Sequence, residues 1–346
     1  MNMPAELIGL RDVSARIGAN MHLVQGAGGN TSIKIADALW VKASGLWLSD
    51  AQRDDIFVAV DLAGARQALA NQNSVMPVLT NQGPAKLRPS IETSLHALMA
   101  HKVVLHVHAV NTIAWAVRTD GDTALSEKLT GLSWAKLPYH RPGLPLSQAI
   151  AALTADKQPD VLILGNHGLL VGGPDVAAAE ALMQIIEQRL QLTPRAATPA
   201  DIARLEALCA GTDYRPAVSE NSHMLATDSH NLAVATAGSL YPDHVVFLGP
   251  ALPQMPSGMT VPAYIATFQD RPAPVAFLVP GAGALVRKDI TRAAEAMLEC
   301  LGLVISRLPI AAPIRYLPQD EEMALLDWDA ERYRKQLTDD RKKAQA

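Results

Sequence analysis

The chain has 346 residues, of which 49% are hydrophobic, and a formal net charge of -4 at pH 7. This length and composition supply enough apolar surface for one large domain or two moderate ones, whereas the absence of a basic patch and an aromatic content of 4% argue against nucleic-acid binding. The two cysteines form no disulfide framework and no apolar run approaches the roughly 18 residues that span a bilayer, so a cytoplasmic protein without a membrane segment is predicted.

Helices and strands alternate along the first half of the chain. In chain order the pattern predicts a helix over 5–24, a glycine-rich turn and short strand over 25–34, a strand over 39–45, a helix over 88–102 and a strand over 103–109. It then predicts a short helix over 146–155, two strands around a turn at 165–168, and helices over 174–192 and 199–210. This alternation indicates an α/β layered domain over 1–200, followed by a smaller α/β unit over 220–346.

An internal repeat relates the two halves. Residues 161–187 resemble residues 276–302 after a shift of 115, and 102–109 resemble 244–251 with a different shift. Three histidines of the first half then have apolar counterparts, with His106, His108 and His167 opposite Leu248, Pro250 and Ala282. We interpret the second unit as a degenerate copy without metal ligands; the alternative is a chance likeness between two alanine-rich strand-turn-helix segments.

Two histidines lie one residue apart in the apolar run VVLHVHAVN, residues 103–111. Because side chains alternate along a strand, His106 and His108 project from one face with their Cα atoms about 7 Å apart, and together they can bind a metal ion. The alternative is a pair of buried, hydrogen-bonded histidines. His167, in the turn GNHGLL, can reach a neighbouring strand end as a third ligand, which leaves a position open for water or substrate.

Two further features lie upstream of these histidines. Glu92 falls in the first turn of the predicted helix 88–102, where a carboxylate is stabilised by the helix dipole or can serve as a general acid–base group or a replaceable ligand. The turn GAGGNTS, residues 26–32, can bind a phosphate or carboxylate through its main-chain N–H groups and polar side chains. It lacks the G-K-[ST] ending of a P-loop and precedes a strand, so a nucleotide fingerprint is excluded.

Five ordered motifs resemble the class II aldolase/adducin family, namely GGNTS at 28–32, ASG at 43–45, PSIE at 89–92, HVH at 106–108 and NHG at 166–168. The sequence around these motifs is most similar to the aldolase part of bifunctional rhamnulose-phosphate aldolase/alcohol dehydrogenases, without the dehydrogenase domain. The resemblance implies a layered α/β/α domain that binds one divalent metal ion, usually Zn²⁺, through His106, His108 and His167, with Glu92 as the acid–base residue. It also implies a substrate and phosphate site, formed by Gly29, Asn30, Thr31, Ser44, Gly45 and Ser90.

The resemblance also implies a reaction. A metal-dependent aldolase would cleave a ketose 1-phosphate to dihydroxyacetone phosphate and an aldehyde through a metal-stabilised enediolate. Epimerisation of a sugar phosphate and decarboxylation of a 3-oxo-acid phosphate would use the same residues, and a non-catalytic adducin-like protein is the competing hypothesis. The family's small aldolases assemble as oligomers, so a homo-oligomer is expected.

Overall fold

The computed structural model describes residues 4–79, 87–269 and 271–328. These residues divide into two compact units, of which the first comprises the described residues up to 116 and residues 120–191. The second comprises residues 117–119 and 192–328. The predicted domain ranges 1–200 and 220–346 stay a prediction, and the last residues of the second range lie outside the described part of the chain.

The first unit is built on a seven-stranded sheet with helices on its two faces. Its strands are β1 Asn30–Ile35, β2 Ala38–Lys42, β3 Phe57–Asp61, β4 Val103–Val107, β5 Trp134–Leu137, β6 Val161–Leu164 and β7 Gly168–Gly173. Its helices are α1 Ala5–Ala19, α2 Leu62–Ala70, α3 Thr93–Leu98, α4 Val110–Ala116, α5 Asp122–Lys128, α6 Leu144–Asp156 and α7 Val176–Arg189, with a short 3₁₀ helix at Leu48–Asp50.

The strand order of this sheet is β3-β2-β1-β4-β7-β6-β5. Only β5 and β6, among these neighbours, run parallel; the other pairs are antiparallel. Strand β4 lies at the centre, where His106 is paired with Asn30 of β1 on one side and with Leu170 of β7 on the other. All five β4 residues are buried, because strands cover both edges and helices cover both faces.

Alternation along β1 shows which helices cover which face of the sheet. Thr31 points towards α1, where its hydroxyl lies 2.7 Å from that of Ser14. Ser32 points the opposite way, towards α3, and its hydroxyl lies 2.8 Å from His96 Nδ1. Helix α6 packs against α3 on this face of the sheet. Leu95 of α3 and Ile150 of α6 belong to one buried apolar cluster there. The unit is therefore a three-layer α/β/α structure, as the sequence predicted.

The predicted helix over 88–102 is wrong in both of its boundaries. Helix α3 begins at Thr93, because the Ser90 hydroxyl accepts a hydrogen bond from Glu92 N at 3.2 Å within a turn that precedes the helix. It ends at Leu98, because Met99 has an extended backbone with φ -58° and ψ 135°. Glu92 is thus the residue before the helix rather than part of its first turn, and its carboxylate is not used in capping.

The second unit contains a three-stranded antiparallel sheet of order β8-β10-β9. Its strands are β8 Tyr214–Pro216, β9 Ala276–Val279 and β10 Gly283–Arg287. Its helices are α8 Ile202–Cys209, α9 Glu220–Thr227, α10 Ser229–Ala237, α11 Pro242–Leu248, α12 Val261–Ala266, α13 Arg292–Ile305 and α14 Gln319–Leu326. Within the described residues of both units, no helix is long and apolar enough to cross a membrane.

One of the two repeat segments has the predicted structure. Strands β6 and β7 pair with Leu164 opposite Gly168, and β9 and β10 pair with Val279 opposite Gly283, which is the same register after the shift of 115. A 14-residue helix follows each strand pair. The other segment does not correspond: residues 242–248 form helix α11, whereas 103–107 form strand β4. The proposed equivalence of Leu248 and Pro250 with the two strand histidines is therefore wrong.

Candidate metal centre

His106 is held in a fixed tautomer by the sheet. Its side chain is fully buried on the central strand, and its Nδ1 donates a hydrogen bond to the main-chain oxygen of Leu169 at 3.0 Å. A carbonyl oxygen can only accept, so the proton of the neutral ring resides on Nδ1. The lone pair on Nε2 is then available as a ligand, which is the arrangement typical of metal-binding histidines.

The two other histidines approach His106 from the end of β4 and from the β6–β7 turn. His108 follows the last residue of β4, and its Nε2 lies 3.2 Å from His106 Nε2. His167 lies between β6 and β7, after Asn166, whose φ of 50° falls in the left-handed region that asparagine tolerates. Gly168 completes this turn, and a Cβ there would lie 2.5 Å from Val107 O. The glycine therefore allows the turn to pack directly against β4.

Glu92 completes a buried cluster of four side chains. Its two carboxylate oxygens lie 3.3 Å from His106 Nε2 and 3.3 Å from His167 Nε2. The three imidazole rings form an equilateral triangle, since every pair of ring centroids is 5.0 Å apart. One potential ligand atom from each of the four residues lies within 4.8 Å of the others. No residue of the four is more than 6% exposed.

The charges in this cluster fit a cation. The lone pair of His106 Nε2 faces a carboxylate oxygen of Glu92, and the two atoms repel unless a proton or a metal ion lies between them. Burial raises the pKa of the Glu92 carboxyl, but the positive charge that His106 and His167 carry when protonated outweighs burial and holds that pKa well below its ordinary value. Glu92 Oε1 is buried and accepts no hydrogen bond from the described residues. Nitrogen and oxygen ligands in this arrangement suit a divalent transition-metal ion.

A hydrogen-bonded chain behind the cluster fixes the position of Glu92. Asn30 Nδ2 donates to Glu92 Oε2 at 2.9 Å and to Ser90 Oγ at 3.2 Å. Asn30 Oδ1 accepts from His96 Nε2, and His96 Nδ1 accepts from the Ser32 hydroxyl at 2.8 Å. Burial lowers the pKa of His96 to about 3, so the ring stays neutral and keeps these two roles. No local pattern in the sequence indicates this connection between His96 and Glu92.

The predicted phosphate-binding residues lie in segments that the structure brings together beside Glu92. Ser44 N donates to Arg88 O at 2.9 Å, and Ala43 forms a β-bridge with Pro89, so the ASG loop adjoins the segment that contains Ser90. Gly29 and Gly45 have φ values of 60° and 74°, a conformation that favours glycine. These loops therefore present main-chain groups and small side chains, as an anion site requires.

Thr31 differs from the other predicted residues of this group. Because it follows Asn30 on a strand, its side chain projects from the other face of the sheet, where the hydroxyl is paired with Ser14. The Thr31 side chain is therefore not among those that surround Glu92. A role for Thr31 in phosphate binding would have to use its main-chain groups in β1, and it stays a prediction.

Comparison with known proteins identifies the family. Residues 12–193 match the family described as Class II Aldolase and Adducin N-terminal domain, which covers more than half of the chain. The chain therefore belongs to the class II aldolase/adducin family, and the four-residue cluster lies within the matched region.

Three relatives illustrate what this chain is similar to. It is 29% identical over 180 residues to the uncharacterized oxidoreductase YuxG of Bacillus subtilis, a match covering 45% of this chain and 25% of that protein. It is 26% identical over 177 residues to L-fuculose phosphate aldolase of Methanocaldococcus jannaschii, covering 49% of this chain and 86% of the relative. It is 28% identical over 180 residues to methylthioribulose-1-phosphate dehydratase of Klebsiella pneumoniae, a match covering 46% of this chain and 81% of the relative. The chain thus spans about a quarter of the first relative and most of the other two.

Proposed function

We propose that this chain is a metal-dependent lyase that cleaves a ketose 1-phosphate to dihydroxyacetone phosphate and an aldehyde. The observation that carries the proposal is the buried cluster of Glu92, His106, His108 and His167 beside two glycine-containing loops. Membership of the class II aldolase/adducin family and the likeness to an L-fuculose phosphate aldolase support the substrate class and the reaction.

One divalent metal ion per chain, Zn²⁺ in the first instance, would be held by His106, His108 and His167. When bound, such an ion supplies Lewis-acid stabilisation of negative charge that develops on substrate oxygen, which is worth several kcal/mol. Three histidine ligands leave room for exogenous oxygen ligands, which a catalytic site needs. The proposed second-unit copy has the buried Ala282 where the first has His167, so it contributes no ligand at that position.

Glu92 would move the proton. Its lowered pKa keeps it ionised near neutral pH, so it can accept a proton from a substrate hydroxyl or carbon and return it later in the reaction. Asn30 keeps one carboxylate oxygen fixed through the 2.9 Å bond, and the neutral ring of His96 keeps the amide of Asn30 from rotating. Main-chain groups at Gly29 and Gly45, with Ser44 and Ser90, would bind the phosphate and position the substrate.

A second reaction, dehydration of a ketose 1-phosphate, is favoured by the likeness to methylthioribulose-1-phosphate dehydratase. It begins from the same substrate class and also needs a base next to a polarised carbonyl. The two reactions differ in which bond breaks after proton removal, because cleavage breaks a carbon–carbon bond and dehydration expels a hydroxyl group.

The test is a screen of ketose 1-phosphates with C4 to C6 chains and of methylthioribulose 1-phosphate, using the zinc-loaded protein. Released dihydroxyacetone phosphate indicates aldol cleavage, whereas a phosphorylated diketone with unchanged carbon number indicates dehydration. Glu92→Gln is the matched control, because it keeps the size of the side chain and removes the base. If the wild-type and Glu92→Gln proteins give the same rates, the proposal is wrong.

We also propose a cytoplasmic homo-oligomer that binds neither nucleic acid nor membrane. The support is the low aromatic content, the negative charge and the oligomeric assembly expected for the family. Light scattering that gives the mass of one chain, 36.9 kDa, would exclude the oligomer.

A further inference from the structure

A short link between β4 and α4 contains one of the three candidate metal ligands. The ladder between β4 and β7 ends with Val107 opposite Leu169. Helix α4 begins at Val110, so His108 lies between the two elements. The hydrogen bonds of the sheet therefore hold the main chain only as far as the residue before this ligand. Because a binding group has to be placed to within about 0.5 Å, other contacts must position the link.

The buried side chain of Gln25 provides one of these contacts. Gln25 lies directly before the glycine-rich turn and is 0% exposed. Its Nε2 donates hydrogen bonds to Met21 O at 2.7 Å and to His108 O at 3.2 Å. Carbonyl oxygens can only accept, so the nitrogen of the side-chain amide, and not its oxygen, must face them. Both N–H groups of the amide are thus used, one within its own loop and one on the candidate ligand.

The loop 20–25 that carries Gln25 has hydrogen bonds of its own and a second contact with the link. Asn20 O accepts hydrogen bonds from the main-chain N–H groups of residues 23 and 24, and Asn20 Oδ1 accepts one from His22 N at 3.0 Å. In addition, Val110 N donates to His22 O at 2.8 Å. The loop therefore holds the link through one side-chain and one main-chain hydrogen bond, on either side of its middle residue.

We infer that Gln25 is a positioning residue that places the His108 imidazole for metal binding. It acts through the carbonyl oxygen of His108, at the point where the chain leaves the strand. The ring of His106 is fixed separately, by its 3.0 Å hydrogen bond to Leu169 O. Loss of the Gln25 amide therefore displaces one ligand of three, which weakens metal binding without abolishing it. This inference rests on the proposed metal centre and makes no use of the proposed phosphate site.

Methionine at position 25 separates this role from a general contribution to stability. It has a similar length to glutamine and removes both donated hydrogen bonds. It also removes the amide oxygen Oε1, which is buried and accepts no hydrogen bond from the residues that the structure describes. Loss of the two bonds destabilises the fold, whereas loss of a buried acceptor of this kind stabilises it. The two effects oppose each other in stability, but nothing replaces the contact with His108.

Trp115 provides a control within the same unit, because it also donates a buried hydrogen bond from its side chain to a main-chain oxygen. Its Nε1 donates to Leu190 O at 3.0 Å, and the residue is 5% exposed. This bond joins α4 to the residue after α7 and does not involve His108. Trp115→Phe therefore removes a bond of the same kind and leaves the contact of Gln25 with the link in place.

The experiment measures Zn²⁺ affinity, by competition with a chelator, for the wild-type, Gln25→Met, Gln25→Glu and Trp115→Phe proteins. The Kd for Zn²⁺ should rise roughly 10- to 100-fold in Gln25→Met, as loss of a group that orients a ligand typically causes. It should rise at least as much in Gln25→Glu, because an ionised carboxylate keeps the shape of the side chain but donates no hydrogen bond. It should stay unchanged in Trp115→Phe. The visible spectrum of the Co²⁺-loaded protein, which depends on ligand geometry, should change only in the two Gln25 variants.

The outcomes separate the role of Gln25 from the metal centre itself. Wild-type zinc affinity in Gln25→Met, or an equal rise of the Kd in Trp115→Phe, would overturn the role of Gln25 and leave the metal centre intact. If the wild type binds neither Zn²⁺ nor Co²⁺, the metal centre is wrong, and the role of Gln25 is wrong with it. If the Gln25 variants do not fold, hydrogen exchange in the wild type, followed by NMR, gives the answer. Because coupling is reciprocal, zinc should slow exchange of the Gln25 amide protons more than that of the Trp115 indole proton, and equal slowing would overturn the inference.

Discussion

Replacing Gly29 by alanine tests whether close main-chain packing positions the metal-binding strand. Gly29 has a φ of 60°, and a Cβ built there would lie 2.8 Å from the carbonyl oxygen of His106 and 3.2 Å from Val24 Cγ2. Gly131 provides the matched control, because it has a φ of 81° but a Cβ there would meet nothing within 4 Å. Both substitutions therefore impose backbone strain, and only Gly29→Ala adds a steric clash.

The expected losses of stability follow from the backbone strain and the steric clash. A side chain in the left-handed region costs about 1–2 kcal/mol, and the lower entropy of the unfolded alanine chain returns about 0.4–1 kcal/mol. Gly131→Ala should thus lower the free energy of unfolding by about 1 kcal/mol. The clash at Gly29 adds about 1–3 kcal/mol, as overpacking typically does, so Gly29→Ala should lose about 2–4 kcal/mol. The shift also displaces His106, so zinc affinity should fall at least about tenfold.

Urea unfolding followed by tryptophan fluorescence measures the loss in free energy of unfolding. Four of the five tryptophans, at positions 40, 47, 115 and 134, lie in the first unit, so their emission reports on that unit. Competition with a chelator measures zinc affinity. Equal losses of stability in the Gly29→Ala and Gly131→Ala proteins, or unchanged zinc affinity in Gly29→Ala, would refute the proposed contact with His106.

Three other predictions concern single side chains. Alanine at His106, His108 or His167 should remove metal and activity together, measured by metal analysis and turnover; full activity after dialysis against chelator would contradict this. Glu92→Gln should keep the metal but stop deuterium exchange into dihydroxyacetone phosphate, and exchange at the wild-type rate would place the base elsewhere. Burial lowers the pKa of His244 to about 3, so the unfolded chain takes up a proton as pH falls below about 6.5 while the folded chain does not. Stability should therefore fall from pH 6.5 towards 3 by up to about 1.4 kcal/mol per pH unit, and a His244→Phe protein with the same pH dependence would refute this.

The close approach of the candidate site residues was predictable because it depends on short-range rules. Strand alternation places His106 and His108 on one face, and a turn residue such as His167 can reach an adjacent strand end. The 2.9 Å hydrogen bond from Asn30 to Glu92 was not predictable in the same way. It depends on the pairing of β1 with β4, which no local pattern specifies. The burial of Lys42 was not predictable either, since a lysine at a strand end is ordinarily solvent-exposed.

The errors in the fold have identifiable physical causes. Strand β3 was missed because four consecutive residues, Phe57 to Val60, are buried, so no alternation marks it. Helix α11 was taken for a strand because its apolar residues resemble those of β4. The sequence around it does carry helix signals, namely Pro242 at the first turn and Gly249 with a φ of 88° just past the end. These helix-start and helix-end residues predict the structure of the segment better than its similarity to β4 does.

The central position of β4 has a consequence for how the first unit folds. On one side, β1, β2 and β3 come from residues 30–61; on the other, β5, β6 and β7 come from residues 134–173. Each set can form from contacts that are close in sequence, whereas β4 must close long chain loops to reach either, which is slow. The groups around His106 meet only when this last pairing is complete. Zinc should therefore leave the refolding rate nearly unchanged and slow unfolding instead, because its ligands are assembled after the rate-limiting step.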